Sequence, residues 1–165
     1  MTTKTQRLTK TAVIAALYVV ATIAIAPMGY GNIQFRISEL LVLLALFDPM
    51  YIGGLTLGCV IANLLGPNGP LDVILGSFAS FISLCAIYYT GKVVKNEKKA
   101  LLIASIWPVI FNAIIIAWML KLTANLPMAL SMLEVGLSEL IIVTIIGVPV
   151  VSLLKPYINK VLVTR

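Results

Sequence analysis

Ile37-Ser-Glu-Leu-Leu-Val-Leu-Leu-Ala-Leu-Phe47-Asp-Pro-Met50-Tyr-Ile-Gly-Gly-Leu-Thr-Leu-Gly-Cys-Val-Ile-Ala-Asn-Leu-Leu65 is either one long membrane crossing or two short ones, and the choice fixes the topology of the whole chain. Pro49 carries no backbone donor and pushes Asp48 out of the helical region, so the run breaks there. Each half is then shorter than the roughly 20 residues that cross a bilayer core of about 30 Å. Lysine and arginine in short loops mark the cytoplasmic side of a membrane protein, and they decide between the two readings. With two crossings, Lys4, Arg7 and Lys10, the loop holding Lys92, Lys95, Lys98 and Lys99, and the tail holding Lys155, Lys160 and Arg165 share the cytoplasmic side, against only Arg36 and Lys121 outside. A single crossing would put the amino terminus and the lysine-rich loop on opposite sides.

Working outward, apolar runs at 8–26, 71–90, 101–122 and 130–154 join 37–47 and 50–65, with Gly, Pro, Asn or charge between them. The expected fold is therefore an all-α membrane protein, a single compact domain over 1–165 of six transmembrane helices. Both termini are expected in the cytoplasm, and the loops Met28–Arg36, Gly66–Pro70 and Thr123–Ala129 outside. The basic amino terminus and apolar segment ending Ala24-Ile25-Ala26 resemble a signal peptide, but Pro27 makes cleavage there awkward, so the segment is expected to stay as the first helix.

Composition agrees with that class. The chain is 61 % hydrophobic and 11 % charged, with a mean hydropathy of +1.08, whereas soluble domains are about 45–50 % apolar and about 25 % charged. The net charge of +6 lies in runs flanking apolar segments, where membrane orientation explains it without a nucleic-acid partner. There is no histidine, and Cys59 and Cys85 stand apart without metal-ligand spacing. Structural zinc, histidine-ligated haem and Ser-His catalysis are excluded, and neither a metal nor a cofactor is expected. Gly91-Lys92-Val93 is not a phosphate loop, so a transporter built on this chain must draw energy from an ion gradient or a partner ATPase.

Polar groups inside such a chain need a reason, because burying them in a membrane is costly. Asn32, Gln34, Arg36 and Glu39 fall together in Gly29-Tyr-Gly-Asn-Ile-Gln-Phe-Arg-Ile-Ser-Glu39. The amides both donate and accept, as a reader of a heterocycle's edge must. Arg36 and Glu39, three apart, have the spacing of an ion pair, structural or ligand-binding. Asn63 and Asn112 either bridge helices or face a ligand. Asp72, after Gly66-Pro-Asn-Gly-Pro70, reads as an acid in a helix's first turn or as a site residue. Glu134 and Glu139 lie in the outer half of the last span, about 140° apart around a helix, so one is free to pair with Arg36 while the other accepts from a ligand. Trp118 suits either a membrane-interface belt or a face for a planar ligand. Ala12 and Ala16, one turn apart, allow another helix to approach closely, inside the bundle or from a partner.

These residues resemble the QueT family of S components from energy-coupling factor (ECF) transporters. The resemblance rests on Gly31-Asn-Ile-Gln-Phe-Arg-Ile-Ser-Glu39, Gly58-Cys-Val-Ile-Ala-Asn63, Gly69-Pro-Leu-Asp-Val-Ile-Leu-Gly76, Phe111-Asn112 and Val135-Gly-Leu-Ser-Glu139. It implies a six-helix, non-enzymatic membrane subunit that captures a queuosine precursor, a deazapurine, on the outer face. It also implies docking through Ala12 and Ala16 onto a membrane T subunit that carries two cytoplasmic ATPases. The alternatives are an S component for another vitamin-like heterocycle, and a structural or assembly subunit without ligand.

Overall fold

The computed structural model describes residues 3–31 and 33–158. The expected residue Asn32 and the tail residues Lys160 and Arg165 lie outside them. Among the described residues every regular element is a helix. They are α1 (Thr3–Ala24), α2 (Ile37–Leu46), α3 (Met50–Leu65), α4 (Asp72–Val93), α5 (Glu97–Ala124) and α6 (Met128–Tyr157). By length and composition α1, α4, α5 and α6 can cross a membrane, while α2 and α3 are shorter apolar helices.

The first run ends earlier than the sequence suggests. The chain leaves α1 at Ala24 and makes a separate single turn over Ala26–Gly29, with Pro27 in its first positions, where a missing N–H costs nothing. The run expected over 101–122 starts at Glu97 and bends at Ser105. Pro108 cannot donate to the carbonyl one turn back, and the Thr144 hydroxyl from α6 contacts both Ser105 Oγ at 3.1 Å and Ser105 O at 3.4 Å across that bend.

Two helices change winding where they meet polar groups. Asp72–Gly76 at the head of α4 and Leu140–Gly147 in the middle of α6 are π-helical, a wider winding that appears mostly as short insertions, often beside functional sites. Conversely, α2 is wound as a 3-10 helix over its ten residues. That winding rises about 2 Å per residue, so α2 reaches about 20 Å where an α-helix would reach about 15 Å. It also stacks every third side chain, placing Glu39, Val42 and Ala45 in one line, none more than 1 % exposed. α2 is the hub, touching α1, α3, α4, α5 and α6.

The main core gathers Tyr18, Leu43, Leu55, Leu84, Ile87 and Val143 around α2, and a smaller one joins Ile116, Met119 and Leu120 of α5 to Val135 of α6. Large apolar side chains such as Leu17, Val20, Leu57, Leu64, Phe78 and Ile145 point outward and are exposed. Apolar outside with charge inside is the distribution of a bundle solvated by lipid.

α1 and α3 pack with their backbones in near contact. A Cβ on Gly54 would lie 2.9 Å from Thr11 O, and one on Gly58 would lie 2.9 Å from Ala15 O. The inward edge of α1 is therefore Thr11, Ala15 and Tyr18, whereas Ala12 and Ala16 are exposed on its outer side.

Candidate functional site

Arg36 ends the connection into α2 in extended backbone, which aims its side chain into the bundle. Its Nε donates to Gly29 O at 3.1 Å, Nη1 to Asn63 Oδ1 at 2.9 Å, and Nη2 to Asp72 Oδ2 at 3.0 Å and Oδ1 at 3.3 Å. Asn63 in turn donates to Asp72 O at 3.0 Å, and Asn68 donates to Asp72 Oδ2 at 3.3 Å. The guanidinium also lies 5.3 Å from the centre of the Tyr30 ring, whose hydroxyl donates to Ala62 O. Arginine in this geometry meets a carboxylate and an amide at once, and the pair is buried, with side chains 6 % and 0 % exposed. The ion pair expected between Arg36 and Glu39, or one acid of the last helix, is thus replaced by Arg36 with Asp72. Three residues of separation brings Glu39 near, but its carboxylate belongs to other donors.

Those donors are Tyr18 and Ser80. Tyr18 OH donates to Glu39 Oε1, and Ser80 Oγ lies 3.5 Å from the same oxygen. Glu139, at the end of the first α-helical stretch of α6, accepts from Asn112 Nδ2 at 2.6 Å. Gln34 sits in the left-handed region, with φ of 54°, a conformation that costs an ordinary residue about 1–2 kcal/mol. Its backbone carbonyl accepts from Ser138 Oγ at 3.3 Å.

Gln34, Arg36, Glu39, Asn112 and Glu139 surround one narrow cavity, closed by Gly76, Ser80, Ile116 and Val135. Its free space is about 10 Å³, near the least that holds one water molecule. Among the described residues, Gln34 Nε2 and Oε1, Glu39 Oε2 and Glu139 Oε2 are buried without a hydrogen-bond partner. A buried polar atom left unpaired costs about 1–3 kcal/mol, so four around one space are a concentrated expense that a polar occupant would remove.

A second, larger space of about 640 Å³ lies on the other side of the same connection, lined by Pro27, Met28, Gly31, Ile33, Phe35 and Glu134. Ile33 and Phe35 face this outer groove, while Gln34 and Arg36 face the inner cavity. Residues 33–36 thus form a wall one chain thick between the two spaces. The groove is mostly apolar and offers one carboxylate, whereas the small cavity is lined by five polar or charged side chains besides Ser80.

The structure thus brings five of the expected residues to the cavity and sets Asn63 and Asp72 behind them, holding Arg36. Glu134 stands apart in the groove, and Trp118 is 48 % exposed on the bundle's flank. Tyr18, Ser80 and Gly76 were absent from the expected set. Tyr18 reads as packing in an apolar helix, and its signal is the hydroxyl itself, since a buried phenol needs an acceptor. A Cβ on Gly76 would lie 2.7 Å from Asp72 Oδ1 and 2.8 Å from Asn63 Nδ2, so the glycine makes room for the knot around Arg36.

Among known proteins, the chain is 40 % identical over 83 residues to the queuosine precursor transporter QueT of Lactococcus lactis subsp. cremoris. The aligned stretch covers 49 % of this chain and 48 % of that protein, about half the length of each. No solved structure matches. The model of the QueT transporter family matches residues 8–156, nearly the whole of the helical bundle, and the chain belongs to that family.

Proposed function

We propose that this multi-pass membrane protein is the substrate-binding S component of an ECF-type importer, capturing a queuosine precursor, a deazapurine, from the outer face. The observation that carries the reading is the set of unpartnered buried atoms of Gln34, Glu39 and Glu139 around one cavity. A deazaguanine supplies what they lack, adjacent N–H donors for a carboxylate and a carbonyl for an amide to donate to, and the water-sized cavity widens to admit it. The family and the curated relative's name support the same substrate. A purely structural subunit would have no use for acceptors left open in its interior.

In this reading α2 and α3 each cross the membrane, giving six spans with both termini in the cytoplasm and the cavity in the outer half. The chain performs no catalysis; uptake is driven by two ATPases acting through a membrane T subunit. The exposed Ala12 and Ala16 on α1 form the face that meets that subunit. Mass spectrometry of small molecules co-purifying with the protein tests the proposal. A bound deazapurine is the expected result, and a different bound heterocycle would keep the binding role but replace the substrate.

A further inference from the structure

At the far end of the bundle from the polar cavity, Leu46 and Phe47 close α2 and stand as a ridge between two pockets, both of which also touch Glu97. One, of about 170 Å³, lies against α5 and α6. Its floor is the buried pair Leu101 and Val151, and Lys98, Ser152 and Lys155 stand at its mouth. The other, of about 230 Å³, lies against the end of α4 and adds Lys95.

Charge at this end is one-sided. Lys92, Lys95, Lys98, Lys99 and Lys155 share it with one exposed carboxylate, Glu97, which accepts from Lys155 Nζ. Asp48, next to Phe47, is buried and meets Arg7. Among the described residues Lys95 and Lys98 make no ion pair. An ammonium carries three donors, so Lys155 can hold Glu97 and a second acceptor together. Ser152 donates its hydroxyl proton to Val148 O at 2.7 Å, which leaves Lys98 and Lys155 as the side-chain donors of the first pocket.

The same pocket borders apolar surface. Leu102, Leu153 and Leu154, neighbours in sequence of its lining residues, are exposed. A soluble anion would use the lysines and leave the apolar floor uncovered. A phospholipid with an anionic headgroup satisfies both, and basic pockets between helices on the cytoplasmic side suit such headgroups.

We propose that the pocket between the ends of α2, α5 and α6 binds one anionic phospholipid of the cytoplasmic leaflet. Lys98 and Lys155 hold its phosphate, and its acyl chains leave over the exposed leucines of α5 and α6. The site is separate from the outer cavity, and its test does not involve the transported ligand.

Native mass spectrometry of the purified full-length chain, titrated with phosphatidylglycerol or with phosphatidylcholine of the same chains, tests this. One phosphatidylglycerol should be retained at least roughly tenfold more tightly than phosphatidylcholine. Equal retention of the two overturns the proposal. Lys98→Ala with Lys155→Ala should weaken phosphatidylglycerol roughly thirtyfold, the scale for two lysines at an anionic surface, whereas Lys4→Ala with Lys99→Ala, which line neither pocket, should leave it unchanged. Equal weakening by both pairs means diffuse attraction to a basic surface and overturns the site. Ser152→Trp fills the mouth from an exposed position with every charge in place, and should also release the lipid. Retention by a folded Ser152→Trp protein overturns the pocket, and the lysine pairs decide the matter where tryptophan disturbs the fold. Displacement of the lipid by an equal concentration of glycerol 3-phosphate would mean that the apolar floor is unused, and would replace the lipid by a free phosphate.

Discussion

Arg36 and Asp72, separated by 36 positions in sequence, meet with Nη2 3.0 Å from Oδ2 in the interior of the bundle. Breaking such a pair strands a charge, so Asp72→Asn should cost about 3–5 kcal/mol of stability, far more than a surface ion pair. Thermal unfolding in detergent measures it. Lys155→Gln, which removes the exposed contact with Glu97, is the comparison and should shift the transition little.

Gln34 is expected to work against the fold and for the ligand. Gln34→Gly relieves a left-handed backbone and removes a buried, unpartnered amide. The variant should be more stable by about 1 kcal/mol, after allowing for glycine's greater freedom when unfolded, and should bind ligand more weakly. Opposite signs in a melting curve and a titration check this; a loss of both would mean that the amide holds the wall together.

Two glycines should respond in opposite ways to one methyl group. Gly76→Ala drives a Cβ into Asp72 and Asn63 and should cost about 1–3 kcal/mol as an overpacked site. Gly53→Ala meets nothing within 4 Å and should leave stability equal or slightly raised, because alanine favours the helix. Denaturation midpoints of the two variants decide.

Ala16 faces away from the bundle, so Ala16→Trp should abolish uptake in cells while the isolated protein keeps its ligand affinity. Loss of ligand affinity along with uptake would place the alanine inside the packing, and unchanged uptake would remove it from the docking face.

The topology is open to chemical labelling. Asn96→Cys, at the amino-terminal cap of α5, should resist a membrane-impermeant thiol reagent applied from outside, while Asn68→Cys should react. The reverse pattern would overturn the six-span arrangement.

The apolar runs and their charged borders were legible because lipid imposes length and loop charge on any spanning chain. Phe47-Asp48-Pro49 separates α2 from α3 where the proline rule puts the break. The winding of α2 was not legible, since nothing in Ile37–Leu46 disfavours an ordinary α-helix; the tighter form belongs to its packing among five neighbours. Gln34, Arg36, Glu39, Asn112 and Glu139 could be nominated because polar residues in apolar sequence are conspicuous. Their pairing could not. Proximity in sequence favoured Glu39 for Arg36, and only the fold brings Asp72 to the guanidinium.

The near contact of α1 and α3 has a mechanical consequence. Gly54 and Gly58 leave no cushion of side chains between the backbones, so the two helices move as one plate. Tyr18, which holds Glu39, and Asn63, which holds Arg36, ride on that plate, one on each helix. A torque applied to the exposed side of α1 is therefore delivered at once to an anchor of the acid and an anchor of the base, on the lever arm that separates the bundle's surface from its polar centre.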